Sequence, residues 1–300
     1  MYRKIIVGYD GSNQAEDALA LGKLIAEHSK AQLVVAGVFQ FDPLWGGVDP
    51  AFQEAEAEYA RQVERAAESV GGEAEAIPSS SAGRGLHELA EELEADLIVV
   101  GSAHHGRVGQ ILAGSVGMSL LHGSPCSVAI APRGYSDHGE RRLAEITLGF
   151  DGSQEAGVAL LDAIELARGS GALLKIVAVA EPPAISYGKG GGQGWHELQE
   201  AINEIMRERL SEAVESVPED VRVEAVLVSG EPATALAEVA TADEGLLMIG
   251  SRAYGPLRRV LLGSVSTALV RSAPCPMIVH PRPTKAAARK GEPISAGNTG

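Results

Sequence analysis

Apolar residues along this chain fall into short dense runs, separated by longer stretches in which they recur every three or four positions. The first run, K-I-I-V-G at residues 4–8, has the length and branching of a buried strand. Residues 13–29 follow with Ala15, Ala18, Leu19, Leu21, Leu24 and Ile25 at helical spacing. The alternation continues with a strand at 32–39, a helix at 51–70, a weak strand at 74–78, a short helix at 86–94 and a strand at 96–100. A glycine-rich stretch then leads into a helix that starts at Gly114, and a last strand lies at 127–131. The second half repeats the pattern: strand 146–149, helix 154–168 stopped at Gly169, strand 173–179, helix 196–217, strand 221–228, helix 233–241, strand 246–249, a helix from Gly263, and a final strand at 276–280.

Each half therefore reads βαβαβαβαβ. Strands this uniformly apolar suit a parallel sheet covered on both faces, so the predicted fold is α/β: two tandem, doubly wound, five-stranded parallel-sheet domains. The expected boundaries are domain 1 at 1–135, a Gly-, Pro- and charge-containing linker at 136–144, domain 2 at 145–282 and a disordered tail at 283–300. Right-handed crossovers place a ligand crevice at the carboxyl ends of the strands, where the strand order reverses.

Register confirms that the repeat is internal. Gly101, Gly114 and Ser115 are answered by Gly250, Gly263 and Ser264, each 149 residues further on. A strand, a glycine loop and a helix start form an arrangement that binds phosphate, because glycines let backbone N–H groups approach an anion and a helix start offers unpaired donors. Ser115 and Ser264 are expected to cap their helices and touch a phosphate oxygen; the bland alternative is an ordinary turn with an N-cap serine. The first strand of each half ends in a matching corner, Y-D-G-S at 9–12 and F-D-G-S at 150–153. Asp10 and Asp151 there can accept from a ribose hydroxyl or an adenine amino group, or can serve only to form the turn before the helix.

Composition narrows the choice of ligand. With 40 acidic against 25 basic residues and a formal net charge of −15, the surface repels DNA, RNA and anionic lipid. A small nucleotide in a local nest of N–H groups is compatible with that field. No apolar run approaches the roughly 18 residues a membrane helix needs, and Asp10 interrupts any signal-like start, so a cytoplasmic protein is expected. Cys126 and Cys275 occupy equivalent places in the two halves and read as buried small hydrophobes rather than as a disulfide or metal framework. The chain lacks G-x-x-x-x-G-K-[S/T], G-x-S-x-G and H-E-x-x-H, so no dedicated catalytic constellation is nominated.

With both corners and both glycine stretches in view, residues 1–282 resemble a tandem universal stress protein. The specific part of the resemblance is G-x2-G-x9-G-[S/T], the phosphate motif of that family's ATP-binding branch. Both halves carry it with one departure, His104 and Ala253 at the second glycine, with Gly106, Gly109 and Gly255 close by. The resemblance implies a Rossmann-like, adenine nucleotide alpha-hydrolase-like fold and an ATP ligand, with Mg2+ as its companion. It assigns Asp10 and Asp151 to the adenosine, Gly8 and Gly149 alongside the adenine, and the backbone at Val38 and Val179 to the adenine edge. Val100 with Gly101, and Ile249 with Gly250, would line the ribose and phosphate entrance. Gly114, Ser115 and Val116, and Gly263, Ser264 and Val265, would present donors to the phosphates.

The resemblance also implies that final strands pair edge to edge, giving an intramolecular pseudo-twofold dimer of the two halves, with pairing of two chains as a further step. The expected activity is that of a nucleotide-binding stress-response regulator working through an unnamed protein partner. Two alternatives stand beside it: a nucleotide-free interaction scaffold, and a slow ATPase or adenylating enzyme on the same fold. Charges around the loops differ, with Arg252, Arg258 and Arg259 in the second half and His104, His105 and Arg107 in the first. Tighter triphosphate binding is therefore expected at the second.

Overall fold

The computed structural model describes residues 2–40, 50–103, 108–139, 141–182, 193–242, 244–251 and 263–280. The first half contains β1 (Lys4–Gly8), α1 (Asn13–Ser29), β2 (Gln32–Gln40), α2 (Pro50–Val70), β3 (Glu73–Ser79), α3 (Ala82–Glu92), β4 (Leu97–Gly101), α4 (Ser115–Leu121) and β5 (Ser127–Ala131). The second contains β6 (Glu145–Gly149), α5 (Gln154–Ser170), β7 (Leu173–Ala180), α6 (Gln193–Glu215), β8 (Val223–Ser229), α7 (Pro232–Val239), β9 (Gly245–Gly250), α8 (Ser264–Leu269) and β10 (Met277–His280).

All ten strands form one sheet in the order β3-β2-β1-β4-β5-β10-β9-β6-β7-β8. Pairing is parallel inside each half, and the halves join through β5 and β10, which run antiparallel with Ala129 opposite Ile278. This pairing closes two exposed edges at once. In the first half the order reverses between β1 and β4, so the crevice falls at their carboxyl ends. The central strands are buried on both faces: Ile5, Ile6 and Val7, and Leu97, Ile98 and Val99, expose nothing. One apolar layer lies under α1, α2, α5 and α6; the other lies under α3, α4, α7 and α8.

Three local expectations change. The strand at 73–79 is as long as its counterpart at 223–229, although its sequence pattern is faint. It is an edge strand, exposed along much of its length, so few apolar residues are needed, and Pro78 is tolerated where one side of the ladder is open. Helix α3 begins at Ala82, one turn earlier than its apolar period indicates, with Ser81 accepting from the Arg84 N–H at 3.3 Å. Helix α5 runs through Gly169 and ends at Gly171, whose φ of +70° suits the left-handed residue that closes a helix. Gly169 has a different role: a Cβ there would lie 2.0 Å from the carbonyl oxygen of His28, so its bare Cα is what lets α5 pack against α1 across the seam between the halves.

The connection from β5 to β6 is also fastened down. Asp17, buried in α1, accepts from the backbone N–H groups of Gly134 and Ser136 and from the Ser136 hydroxyl, at 2.8 to 2.9 Å. A single turn of 3-10 helix follows at Ser136–His138, and the Arg141 guanidinium lies 4.2 Å above the buried Tyr135 ring. The tail after residue 280 lies outside the described residues.

Candidate functional site

The two D-G-S corners fold alike. Asp10 Oδ1 accepts from the Ser12 N–H at 3.0 Å, and Ser12 Oγ accepts from the Ala15 N–H at 3.2 Å as the cap of α1. Asp151, Ser153 and Ala156 repeat this at 2.9 and 3.2 Å before α5. Gly11 and Gly152 take φ of +77° and +75° between carboxylate and cap, a conformation that costs a residue with a Cβ. The serine is thus the cap and the aspartate shapes the turn in front of it. Behind the corner, burial and a 2.6 Å hydrogen bond to Glu16 push the Tyr9 hydroxyl up to about 12, keeping it protonated.

The glycine stretch of the first half is stitched to the end of β4 and β5. Ser102 Oγ donates to the Ala131 carbonyl at 2.8 Å, and the Ala103 N–H donates to the Leu112 carbonyl at 2.6 Å. A Cβ on Gly101 would stand 2.1 Å from the Gln14 carbonyl oxygen, and one on Gly250 would stand 2.9 Å from the Glu155 carbonyl carbon. The first glycine of each motif is therefore fixed by the close passage of the opening turn of α1 or α5. Gly114 differs: its φ is −74° and a Cβ would meet only ordinary contact, 3.6 Å from Ala103. The packing of the fold does not itself demand a glycine there.

Gly114, and not Ser115, is the N-cap of α4, with no side-chain cap bond; Gly263 does the same for α8. This corrects the expected capping serines. Ser115 and Ser264 are the first helical residues, one position too late to bond back to the turn, so their hydroxyls take no part in the cap.

A cavity of ≈ 280 Å³ opens between the corner and the loop of the first half. All eight residues nominated from sequence in this half line it: Gly8, Asp10, Val38, Val100, Gly101, Gly114, Ser115 and Val116. Apolar Ala36, Val38, Leu86 and Val100 line it together with the exposed Asp10 and the first turn of α4. N–H groups in that first turn have no partner inside the helix. The counterparts in the second half occupy equivalent places: Gly149, Asp151 and Val179 at the ends of β6 and β7, Ile249 and Gly250 at the end of β9, and Gly263, Ser264 and Val265 at the start of α8. Residues 252–262 lie outside the described residues, as do 104–107, so His104, His105, Arg107, Ala253, Arg252, Arg258 and Arg259 are not placed.

Tyr59 is the largest of the lining residues that motif reading missed. It sits in α2, its hydroxyl donates to the Tyr9 carbonyl at 2.8 Å, and its ring fills the space above Gly37. The helical period that buries Val63, Ala66 and Ala67 also aims Tyr59 inward, which is the signal that could have found it. In the second half the matching stretch of α6 places Arg209 at the corner, donating to the Asp151 carbonyl at 2.6 Å, where the first half has the neutral Gln62 over Gly11. Burial pushes both thiols, Cys126 and Cys275, up to about 12, so each remains a neutral packing group. Among the described residues no group of three or more His, Cys, Asp or Glu is arranged to hold a metal, and no helix is long and apolar enough to cross a membrane.

A mostly parallel sheet, helices on both faces and a crevice at the reversal of strand order define a doubly wound, Rossmann-like α/β fold. A model of the universal stress protein family matches the chain twice, over residues 1–132 and 144–281, and the chain belongs to that family. Universal stress protein Rv2319c of Mycobacterium tuberculosis is 28% identical over 298 residues, covering 92% of this chain and 99% of its own. A universal stress protein of Mycolicibacterium smegmatis is 33% identical over 198 residues, 63% of either chain. Among solved structures, a universal stress protein from Archaeoglobus fulgidus superposes with a TM-score of 0.63 at 20% identity, covering 93% of this chain and 98% of that one.

Proposed function

We propose that this protein binds adenine nucleotide, ATP with Mg2+ as its companion, in the crevice of each half, and that it acts as a regulator through the bound state rather than by turnover. The observation that carries this reading is the convergence of Asp10, Val38, Gly101, Gly114 and Ser115, far apart in sequence, on one cavity. Its residues fit the parts of such a ligand. The apolar slot of Ala36, Val38, Leu86 and Val100 accepts a flat purine, and Asp10 offers an acceptor for ribose hydroxyls. The first turn of α4 offers N–H donors to phosphate, over a Gly114 that the fold itself leaves free. A magnesium ion would be held chiefly by the phosphates, since Asp10 is the one carboxylate among the described residues of the lining. Among the described residues of the lining no nucleophile is paired with a base.

The test is mass spectrometry of the supernatant from freshly purified, heat-denatured protein, followed by titration with ATP and magnesium. Adenine nucleotide is expected in the supernatant, and Gly114→Ala is expected to weaken ATP binding by about tenfold or more through a methyl group beside the phosphates, with only the small loss of stability that a poorer N-cap brings. No nucleotide carried and none bound on addition would overturn the reading in favour of a nucleotide-free scaffold.

A further inference from the structure

The glycine stretch of the first half rests on the second half. The Ile111 N–H donates to the Ala273 carbonyl at 3.0 Å, and the Ala113 N–H donates to the Val270 carbonyl at 2.8 Å. Val270 and Ala273 form the last turn after α8; both are fully buried, as is Ile111, which belongs to the apolar cluster containing Leu120 from α4 and Leu269 from α8. Carbonyls at the end of a helix have no partner inside it. Here the loop of the other half bonds the carbonyl of Val270, the residue that closes α8, and that of Ala273 three residues further on, both buried.

Ala113 is also one residue before Gly114, the cap of the helix that faces the first cavity. At its other end, α8 starts at Gly263 and Ser264, two of the residues nominated for the nucleotide site of the second half. The helix between has six residues, about 9 Å at 1.5 Å per residue, packed on a core that does not compress. Its inward face, Ser266 and Leu269, is buried in that core, so a shift at one end of so short a helix is passed to the other.

We propose that the two crevices are energetically coupled through α8, so that nucleotide in the second changes the affinity of the first, and by reciprocity the first changes the second. This rests on the nucleotide reading above and adds regulation to it. The loop acts as a positioning element: Ile111 and Ala113 hold the cap of α4 in place only as well as Val270 and Ala273 hold them.

Calorimetric titration of ATP with magnesium into the full chain, into Asp10→Ala and into Asp151→Ala tests it. Coupling predicts that the wild-type isotherm departs from the sum of the two single-corner isotherms, by about fivefold or more in the apparent affinity of the second equivalent. Ile111→Ala, which loosens the loop from α8, is expected to restore independent binding. Amide exchange gives a readout that does not depend on that variant: in Asp10→Ala, filling the second crevice should slow exchange at Ile111 and Ala113. A wild-type isotherm equal to the sum, with exchange at both amides unchanged by ATP, overturns the coupling while leaving the nucleotide reading intact. Absence of ATP binding in every protein overturns both.

Discussion

Along the seam between the halves, the repeat places two sets of equivalent positions that carry opposite chemistry. On one flank stand Leu143, Leu21 and Ala131, at 6%, 1% and 0% exposure, all within one apolar core. On the other stand their counterparts Tyr2, Asp162 and His280. Tyr2 Oη lies 3.1 Å from His280 Nε2, Asp162 Oδ2 lies 3.4 Å from the same nitrogen, and His280 Nδ1 lies 3.4 Å from the Ile249 carbonyl. Burial pushes the Tyr2 hydroxyl well up, aided by the nearby Asp162 charge. For Asp162, burial pushes upward, but the hydrogen bond and charge of His280 outweigh it and hold the carboxyl below its usual range.

One backbone frame thus accepts either an oily or a polar trio, on condition that the polar groups complete one another. A buried polar group is costly only when it lacks a partner. Which positions meet is set by strand pairing and by the approach of α1 to α5; which chemistry fills them is free within that rule.

The strongest way to break the comparison is to move half of the polar set. Leu21→Asp places a carboxylate opposite Leu143 and Ala131 with no partner, and a loss of about 3 to 5 kcal/mol is expected, enough to abolish cooperative unfolding of a soluble species. Chemical denaturation checks it; a loss below about 1 kcal/mol means that the site can bring in water. A smaller effect is expected at the helix contact that both flanks share. Gly169→Ala gains about 1 kcal/mol of helix propensity but drives a methyl group into the His28 carbonyl, so a net loss of about 1 to 2 kcal/mol is expected. Stabilisation by that substitution would show that the seam opens freely.

The change with the smallest effect on stability at neutral pH sharpens the comparison most. Tyr2→Leu, Asp162→Leu and His280→Ala together copy the apolar flank, and replacing a buried polar set by apolar groups is expected to leave stability within about 1 kcal/mol or raise it. Its acid limb changes shape. A carboxyl held below its unfolded value contributes stability that is present above about pH 4 and is lost as pH falls through the folded value. The triple variant therefore loses less stability than the wild type on acidification. Denaturation midpoints measured from neutral pH down to pH 3 test this; parallel acid limbs would show that Asp162 adds nothing.

Much of the architecture was legible because periodicity is a local property. Runs such as 4–8 and 97–101 announce strands regardless of their surroundings, and the fixed offset between Gly101 and Gly250 exposed the repeat. Misreadings came where a residue answers to a distant neighbour. Gly169 looks like a stop in the sequence and is a contact for His28 in space. Ser115 follows a glycine loop as a cap would, yet Gly114 takes that place. Tyr59 lies in an acidic helix that carries no motif, and only the fold of α2 over β2 brings it to the cavity.

By itself, then, the sequence determined the order of strands and helices, the twofold repeat, the two D-G-S corners and the set of residues from which a crevice could be built, because each is encoded within a few neighbouring positions. Tertiary structure alone decided the register in which β5 and β10 meet, that Gly101 is held by Gln14 while Gly114 is not so confined, and that the loop before α4 hangs on the turn after α8. Those are contacts between residues far apart in the chain, and no local pattern records which distant backbone will pass within hydrogen-bonding distance.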